Sequence, residues 1–151
     1  MKTYLISIAF AALSLFQQEV AADKFATPKE AEAIVSKAVK AVEANREGTF
    51  NEITGKNKKW AYQDLYVVAY DMSGKCLAHG QNERQVGKDL IDNSDADGKE
   101  FVKERVALAK SKQTFWQDYK FIDPVTKTVL PKSTYCETTG DVIVCAGVYK
   151  R

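Results

Sequence analysis

Residues 65–74 have the sequence LYVVAYDMSG. The first six residues are apolar, aromatic or β-branched, a composition typical of a strand that is buried in a sheet. The Asp, Ser and Gly that follow favour a tight turn, and Lys75 to His79 can form the returning strand. We therefore predict a β-hairpin over residues 65–79.

Three further strands are predicted towards the end of the chain. Phe115 to Ile122 alternates between two sets of side chains, as a strand does, and residues 123–124, Asp-Pro, end it. Val129 to Glu137 and Val142 to Tyr149 also contain β-branched and aromatic residues. Together with the first hairpin, these segments predict five strands.

Two helices are predicted around the strands. Residues 27–30, Thr-Pro-Lys-Glu, fit a capping box with Pro at the first helical position, and an apolar stripe follows until Gly48 ends the helix near Arg46. A second helix is expected over Phe101 to Ala109, opened by residues 95–97, Asp-Ala-Asp. The order of elements predicts an α+β fold: a PAS-like, five-stranded antiparallel sheet with a long N-terminal helix and a helical insertion between strands 2 and 3.

The N-terminal residues 1–22 predict a secretory signal peptide. Lys2 is followed by a largely apolar stretch, Tyr4 to Phe16, and the Val-Ala-Ala at residues 20–22 offers a cleavage site. The stretch is shorter than the roughly 20 residues that a spanning helix needs. We expect residues 23–151 to form one domain that is periplasmic or secreted and does not span a membrane; an uncleaved anchor is the alternative.

The charge of the chain is nearly balanced. Lys and Arg number 22, Asp and Glu number 20, and the formal net charge is +2. This small excess is not gathered into one run, which argues against nucleic acid or an anionic membrane surface as the main partner. No nucleic-acid partner is therefore expected.

The three cysteines predict one intramolecular disulfide. If residues 140–141, Gly-Asp, form a two-residue hairpin loop, Cys136 lies directly opposite Cys145. In such a non-hydrogen-bonded pair the Cα atoms are about 4.5 Å apart, near the short limit for a disulfide. We therefore expect Cys136 and Cys145 to be bonded, which leaves Cys76 as a buried thiol or, alternatively, as an intermolecular partner.

Six short segments occur in a fixed order along residues 65–149. They are residues 65–71 with Ser73-Gly74, Ala78-His79-Gly80, Gly87-Lys88-Asp89-Leu90, Asp97-Gly98-Lys99, Lys132-x-x-Tyr135 and Gly147-Val148-Tyr149. Their order and spacing resemble those of single Cache domains of type 2, a PAS-like family of extracytoplasmic small-molecule sensors. The resemblance implies a pocket for a short organic carboxylate, between the sheet and the segments that join strands 2 and 3. Such sensors usually belong to a membrane receptor or kinase, so we expect this chain to act through such a partner in signalling or chemotaxis; a role as a scavenger is the alternative.

The resemblance also implies a set of ligand-binding residues. They are His79, Trp116, Tyr119, Phe121, Lys132 and Tyr135. A Lys ammonium can hold a carboxylate, and Tyr hydroxyls can complete its hydrogen bonds. Lys132 and Tyr135 would point to opposite faces of a regular strand, so either a bulge near Pro131 turns both inward or only one reaches the ligand. Core packing of the aromatic residues and a structural hydrogen bond for His79 are the alternatives.

Other kinds of site have less support in the sequence. Residues 93–104 match the spacing of a calcium-binding EF-hand loop, but no clear entering helix precedes them, and a turn that opens a helix is the alternative. His79 is the only histidine and two cysteines are committed to a disulfide, so neither a zinc site nor another cofactor is expected. The sequence contains no nucleophile elbow and no recognisable glycosidase pair. We predict a binding protein and not an enzyme; a protein interaction module with a vestigial pocket and a periplasmic enzyme are the alternatives.

Overall fold

The computed structural model describes residues 25–151, and the predicted signal peptide, residues 1–22, lies outside the described residues. A short 3₁₀ turn, Glu83–Gln85, accompanies the regular elements of the described chain. These elements are α1 (Pro28–Ala44), α2 (Arg46–Thr54), β1 (Ala61–Tyr62), β2 (Leu65–Asp71), β3 (Cys76–His79), α3 (Phe101–Ser111), β4 (Thr114–Ile122), β5 (Val129–Thr139) and β6 (Val142–Tyr149).

The strands form one antiparallel sheet in the order β1-β2-β6-β5-β4, and β3 pairs with β2 as a hairpin. The five predicted strands are present as β2 to β6, and α3 is the helical insertion between the second and third of them. The predicted PAS-like α+β fold is therefore confirmed. The additional strand β1 contains only two residues, too few to show a sequence pattern.

The first helix begins as the sequence predicts. The backbone amide of Thr27 donates to Glu30 Oε2 at 2.7 Å, and the amide of Glu30 donates to Thr27 Oγ1 at 3.3 Å, which is a capping box. α1 ends at Ala44, close to the predicted Arg46, but a second helix, α2, follows at once. The carboxamide of Asn45 caps α2 by accepting from the Gly48 amide at 3.0 Å.

The sheet separates two buried layers with different compositions. Successive side chains of a strand point to opposite faces, so Leu65, Val67 and Ala69 of β2 pack with α1, whereas Tyr66 and the other even-numbered residues pack with α3. Both faces of β2 are therefore covered. This explains why the whole apolar run at residues 65–70 is buried.

The β5–β6 hairpin confirms the predicted disulfide. Thr139 pairs with Val142 across the two-residue loop, and Cys136 pairs with Cys145, with Cα atoms 4.2 Å apart. The disulfide lies in the layer under α3, as does Cys76, which is a buried free thiol. Burial raises the pKa of the Cys76 thiol to about 11, so the thiol is neutral at physiological pH.

The prediction that residues 95–97 open α3 is wrong. The Asp95 carboxylate instead caps the free edge of β4. α3 begins only at Phe101, and no side chain caps it. Asp95 Oδ1 accepts from the amides of Asp97 and Lys99, both at 2.9 Å, and Oδ2 accepts from the Lys120 amide at 2.9 Å. These bonds use an edge amide that would otherwise be unpaired. They also occupy the central carboxylate of the segment that has calcium-like spacing.

The start of α1 and the C-terminal residue meet at a small ionic cluster. Arg151 donates to Asp64 and to Asp123, each at 2.8 Å, and both carboxylates are buried. Asp64 also accepts from the Ala26 amide at 2.7 Å. The cluster ties the start of α1 and the end of β6 to the sheet.

Candidate functional site

A buried lysine lies in the layer under α3. Lys132, on β5, is 3% exposed, and its Nζ donates to Tyr66 Oη at 2.9 Å. The ammonium lies 4.1 Å from the ring centre of Tyr66, 4.7 Å from that of Tyr149 and 5.6 Å from that of Phe121. Within residues 25–151 it forms no salt bridge with a carboxylate. Aromatic faces and one hydroxyl stabilise this charge in place of a counter-ion.

The strand register leaves room for the lysine. Thr134 and Lys132 lie opposite Gly147 and Tyr149 of β6. A Cβ atom at Gly147 would lie only 2.8 Å from Lys132 Cε, closer than real Cβ contacts allow. The absence of a side chain at Gly147 therefore lets the lysine stem lie over the sheet.

A line of donors runs from the ammonium to the end of β4. Tyr149 Oη donates to the carbonyl of Ile122 at 2.8 Å, and Tyr66 Oη lies 3.3 Å from Tyr149 Oη. Because the Tyr149 proton is used by that carbonyl, Tyr66 donates to Tyr149 and accepts from Lys132. Only one of the three N–H donors of Lys132 is thereby satisfied within the described chain.

An inner cavity of about 10 Å³ adjoins Lys132, which is room for roughly one water molecule. Its lining contains no Asp or Glu and consists of Tyr66, Val68, Tyr70, His79, Phe101, Tyr119, Phe121, Lys132, Thr134, Ala146 and Gly147. An outer cleft of about 360 Å³, lined also by Gln81, Asn82 and Lys127, shares Tyr66, His79 and Phe121 with the cavity. These three side chains therefore line both the cleft and the cavity.

His79 closes the cavity as a neutral imidazole. Its Nδ1 accepts from the amides of Gln81 at 3.2 Å and Asn82 at 3.0 Å, and its ring stacks on Tyr66 with centres 5.4 Å apart. Burial and the positive charges of Lys132 and Arg105 lower the pKa of His79 to about 3. Since Nδ1 is an acceptor, the single proton lies on Nε2, which can donate to a ligand.

A second buried cation lies behind the aromatic wall. Arg105 of α3 is fully buried; its Nε donates to Gln117 Oε1 at 3.1 Å, while Nη1 and Nη2 make no hydrogen bond to the described chain. The guanidinium lies 5.1 Å from the ring centre of Tyr70, 5.6 Å from Phe101 and 5.3 Å from Tyr119. The Arg105 guanidinium therefore lies close to three rings that also line the inner cavity.

Comparison with known proteins identifies the family. The sequence profile described as Single Cache domain 2 matches residues 3–150. The chain belongs to this family. No curated protein sequence matches it.

Solved structures share the fold of this Cache domain. A methyl-accepting chemotaxis protein from Vibrio parahaemolyticus is 20% identical with a TM-score of 0.69, and the match covers 80% of this chain and 86% of that one. A Cache chemosensory domain whose structure is described as the basis for carboxylic acid recognition is 23% identical, with a TM-score of 0.69 and coverages of 82% and 92%. A periplasmic sensor domain of a chemotaxis protein is 18% identical, with a TM-score of 0.65 and coverages of 82% and 90%.

Four of the six ligand-binding residues predicted for this Cache domain lie together. His79, Tyr119, Phe121 and Lys132 all line the inner cavity. The sequence reasoning missed Tyr66, Arg105, Thr134, Gly147 and Tyr149. Arg105 had a detectable signal, because it follows Phe101 by four residues on the buried face of α3.

The other two predicted residues, Trp116 and Tyr135, lie on the opposite face of the sheet. They pair across β4 and β5 with ring centres 5.3 Å apart, and Tyr135 packs in the layer under α1. β5 pairs with β4 without interruption through Pro131, so no bulge turns Tyr135 inward. Neither Trp116 nor Tyr135 lines the inner cavity, because strand alternation places them away from Lys132.

No helix within residues 25–151 has the length and hydropathy needed to cross a membrane. In the same part of the chain, no group of three or more His, Cys, Asp or Glu side chains could hold a metal ion.

Proposed function

We propose that this Cache domain binds a short organic carboxylate, with the carboxylate of the ligand accepting from Lys132 Nζ. The observation that carries the proposal is a buried ammonium with no carboxylate partner in the described chain and two unused donors. Burying a charge without a partner is costly, and a charged ligand would supply that partner. A charge-assisted hydrogen bond of this kind contributes about 1.5–3 kcal/mol.

The remaining walls support an anionic ligand. The inner cavity has no acidic side chain, and its neighbouring cation, Arg105, adds to the positive potential. His79 Nε2 supplies a neutral donor beside the ammonium. One of the structurally similar Cache domains is described as recognising carboxylic acids, which is consistent with this chemistry.

The size of the cavity favours a small ligand that enters through the outer cleft. The inner cavity alone holds about one water, so a carboxylate needs Phe121 or Tyr66 to move, or extends into the cleft of about 360 Å³. The organic part of the ligand would then contact Gln81 and Asn82 at the mouth.

We further propose that the domain is exported after cleavage near residue 22 and has no enzymatic activity of its own. It would report ligand occupancy to a membrane receptor or kinase. The family supports a sensor role, since similar structures belong to chemotaxis proteins.

Calorimetry and thermal shift test the ligand class. Acetate, propionate, pyruvate, glycine and methylamine are added separately to the purified protein at neutral pH. We expect at least one of the four compounds that carry a carboxylate to bind and raise the melting temperature, and methylamine to have no effect.

A matched pair of lysine variants tests the position of the ligand. Lys132→Met should abolish binding of that carboxylate, whereas Lys103→Met, which removes an exposed lysine paired with Glu100, should leave affinity unchanged. Equal affinity in the parent and in Lys132→Met would place the ligand elsewhere.

The smallness of the inner cavity also favours a second candidate, an interaction module with a vestigial pocket. Its surface would include the tip of the β4–β5 hairpin, where Ile122, Val125 and Val129 are exposed apolar residues. If calorimetry detects no heat of binding for methylamine or for any carboxylate, the interaction module is favoured over the sensor.

A further inference from the structure

Tyr119 lies between the two buried cations. Lys132 is its cross-strand neighbour on β5, and the Arg105 guanidinium lies 5.3 Å from its ring centre on the side of α3. Neither cation forms a salt bridge within residues 25–151. The Tyr119 hydroxyl oxygen accepts from Thr134 Oγ1 at 3.3 Å, so it already acts as an acceptor.

The other titratable groups packed around Tyr119 under α3 are neutral or already paired. On the packed elements these groups are Tyr66 and Tyr70 of β2, Cys76 and His79 of β3, Glu104 of α3 and Tyr149 of β6. Burial raises the pKa of the three tyrosines and of the thiol, and His79 is neutral. Glu104 is partly exposed and forms an ion pair with Lys99 at 2.8 Å. In the outer groove that Tyr119 also lines, Asp95 accepts from backbone amides, while Asp97 and Asp118 form ion pairs with Lys120 and Lys150.

We propose that at mildly alkaline pH the Tyr119 hydroxyl of the empty site ionises and becomes the internal counter-ion of Lys132, and that a bound carboxylate replaces it. Only the second part of this inference, the replacement of Tyr119 by a carboxylate, rests on the proposed function. Arg105 is a positioning residue that favours the charged form of Tyr119 without contacting the ligand. The exchange balances, because the ligand brings one negative charge and Tyr119 takes one proton from solvent.

The electrostatics agree with this geometry. Burial by itself opposes ionisation of Tyr119, but the charges of Lys132 and Arg105 and the hydrogen bond from Thr134 outweigh it and lower the pKa to about 8. A phenolate needs no space beyond that of the phenol, which suits a cavity of about 10 Å³.

Ionisation of Tyr119 can be measured without any ligand. Tyrosinate absorbance is followed as the pH rises from 6 to 10 in the parent, in Tyr119→Phe and in the control Tyr135→Phe, which removes a hydroxyl on the other face of the sheet. We expect one tyrosine to ionise near pH 8 in the parent and the control and none to do so in Tyr119→Phe. Arg105→Gln should move this ionisation to higher pH, and Arg105→Lys should restore it towards the parent value.

The exchange is measured by the pH dependence of carboxylate binding. For propionate, or whichever carboxylate binds best, affinity in the parent should be about tenfold weaker at pH 9 than at pH 7, because binding requires proton uptake above the pKa of Tyr119. Tyr119→Phe should show the same affinity at both pH values.

Failure of this inference is distinguishable from failure of the proposed function. If no tyrosine ionises below pH 9, or if parent affinity is equal at pH 7 and pH 9, Tyr119 is not the counter-ion, while carboxylate binding lost in Lys132→Met still stands. If Tyr119 ionises near pH 8 but no carboxylate binds, the proposed function and the exchange are wrong and the internal counter-ion is retained.

Discussion

The two faces of the sheet carry different chemistry on the same strands. Under α1 the buried residues are almost all aliphatic, such as Leu65, Val67 and Val144. Under α3 the layer contains Tyr66, Tyr119, Arg105 and Lys132 as well as the disulfide. Adjacent residues of β2 therefore contribute alternately to an apolar core and to a polar cavity.

Because of this difference, one face of the sheet contributes mainly to the stability of the domain and the other mainly to recognition. Aliphatic burial stabilises the fold by about 25 cal/mol for each Å² removed from water. Buried charges without a partner oppose folding, and they are tolerated where a ligand uses them. We infer that packing on the α1 face stabilises the sheet, whereas the α3 face provides a preformed site for an anion.

The largest expected effect comes from a cavity in the α1 layer. Leu65→Ala removes a fully buried side chain and should lower the free energy of unfolding by about 2–5 kcal/mol. Denaturant unfolding measures this loss. Carboxylate affinity of the folded fraction should not change, and a large change in affinity would mean that the two faces are coupled through the sheet.

Two neighbouring valines provide a matched comparison of the faces. Val67→Ala and Val68→Ala are the same substitution on one strand, and each should cost about 1–2 kcal/mol of stability. Val68 lines the inner cavity and Val67 does not. Only Val68→Ala should therefore shift calorimetric selectivity towards a larger carboxylate; the same shift in both variants would contradict the division of the two faces.

The pH dependence of stability reports the neutral state of His79. Its pKa is about 3 in the folded chain, below the ordinary 6.5, so the unfolded state takes up a proton first as the pH falls. The stabilisation is complete above pH 6.5 and is lost on acidification, by about 1 kcal/mol between pH 6 and pH 5.

Two amide variants separate the roles of the two nitrogens of His79. Both variants should lack the fall in unfolding free energy between pH 6 and pH 5, which denaturant unfolding measures. His79→Asn can keep an acceptor for the amides of Gln81 and Asn82, whereas His79→Gln can keep a donor near the Nε2 position. We expect His79→Asn to be the more stable and His79→Gln the better binder; the reverse order would contradict the assigned tautomer.

The smallest expected change is a gain in stability. Lys132→Met removes a buried charge from the α3 layer but keeps most of the apolar stem, so the unfolding free energy of the unliganded protein should rise by up to about 1 kcal/mol. If chemical denaturation instead shows that the unfolding free energy falls by several kcal/mol, the aromatic rings and Tyr66 fully compensate the cost of burying the ammonium.

Local sequence patterns predicted most elements because their signals lie within a few residues. The capping box at Thr27 marks the start of α1, and the two-residue loop at Gly140 sets the pairing of Cys136 with Cys145. α2 was missed because its sequence has no apolar stripe, although the Asn45 cap is a recognisable signal. The opening of α3 was misplaced because Asp95 bonds to a strand that lies 25 residues away in sequence.

The sequence by itself determined five of the six strands of the described chain, the disulfide and the family, since periodicity, turn chemistry and motif order are local properties. It also named Lys132, but not the face on which Lys132 lies. The tertiary structure decided that Lys132 points inward while Tyr135 points away, because an unbroken register with β4 allows only one of them to face α3. It alone brought Tyr66 and Tyr149 to the lysine and Arg105 to the ring of Tyr119, since these residues come from different elements and their contacts exist only after the sheet has formed.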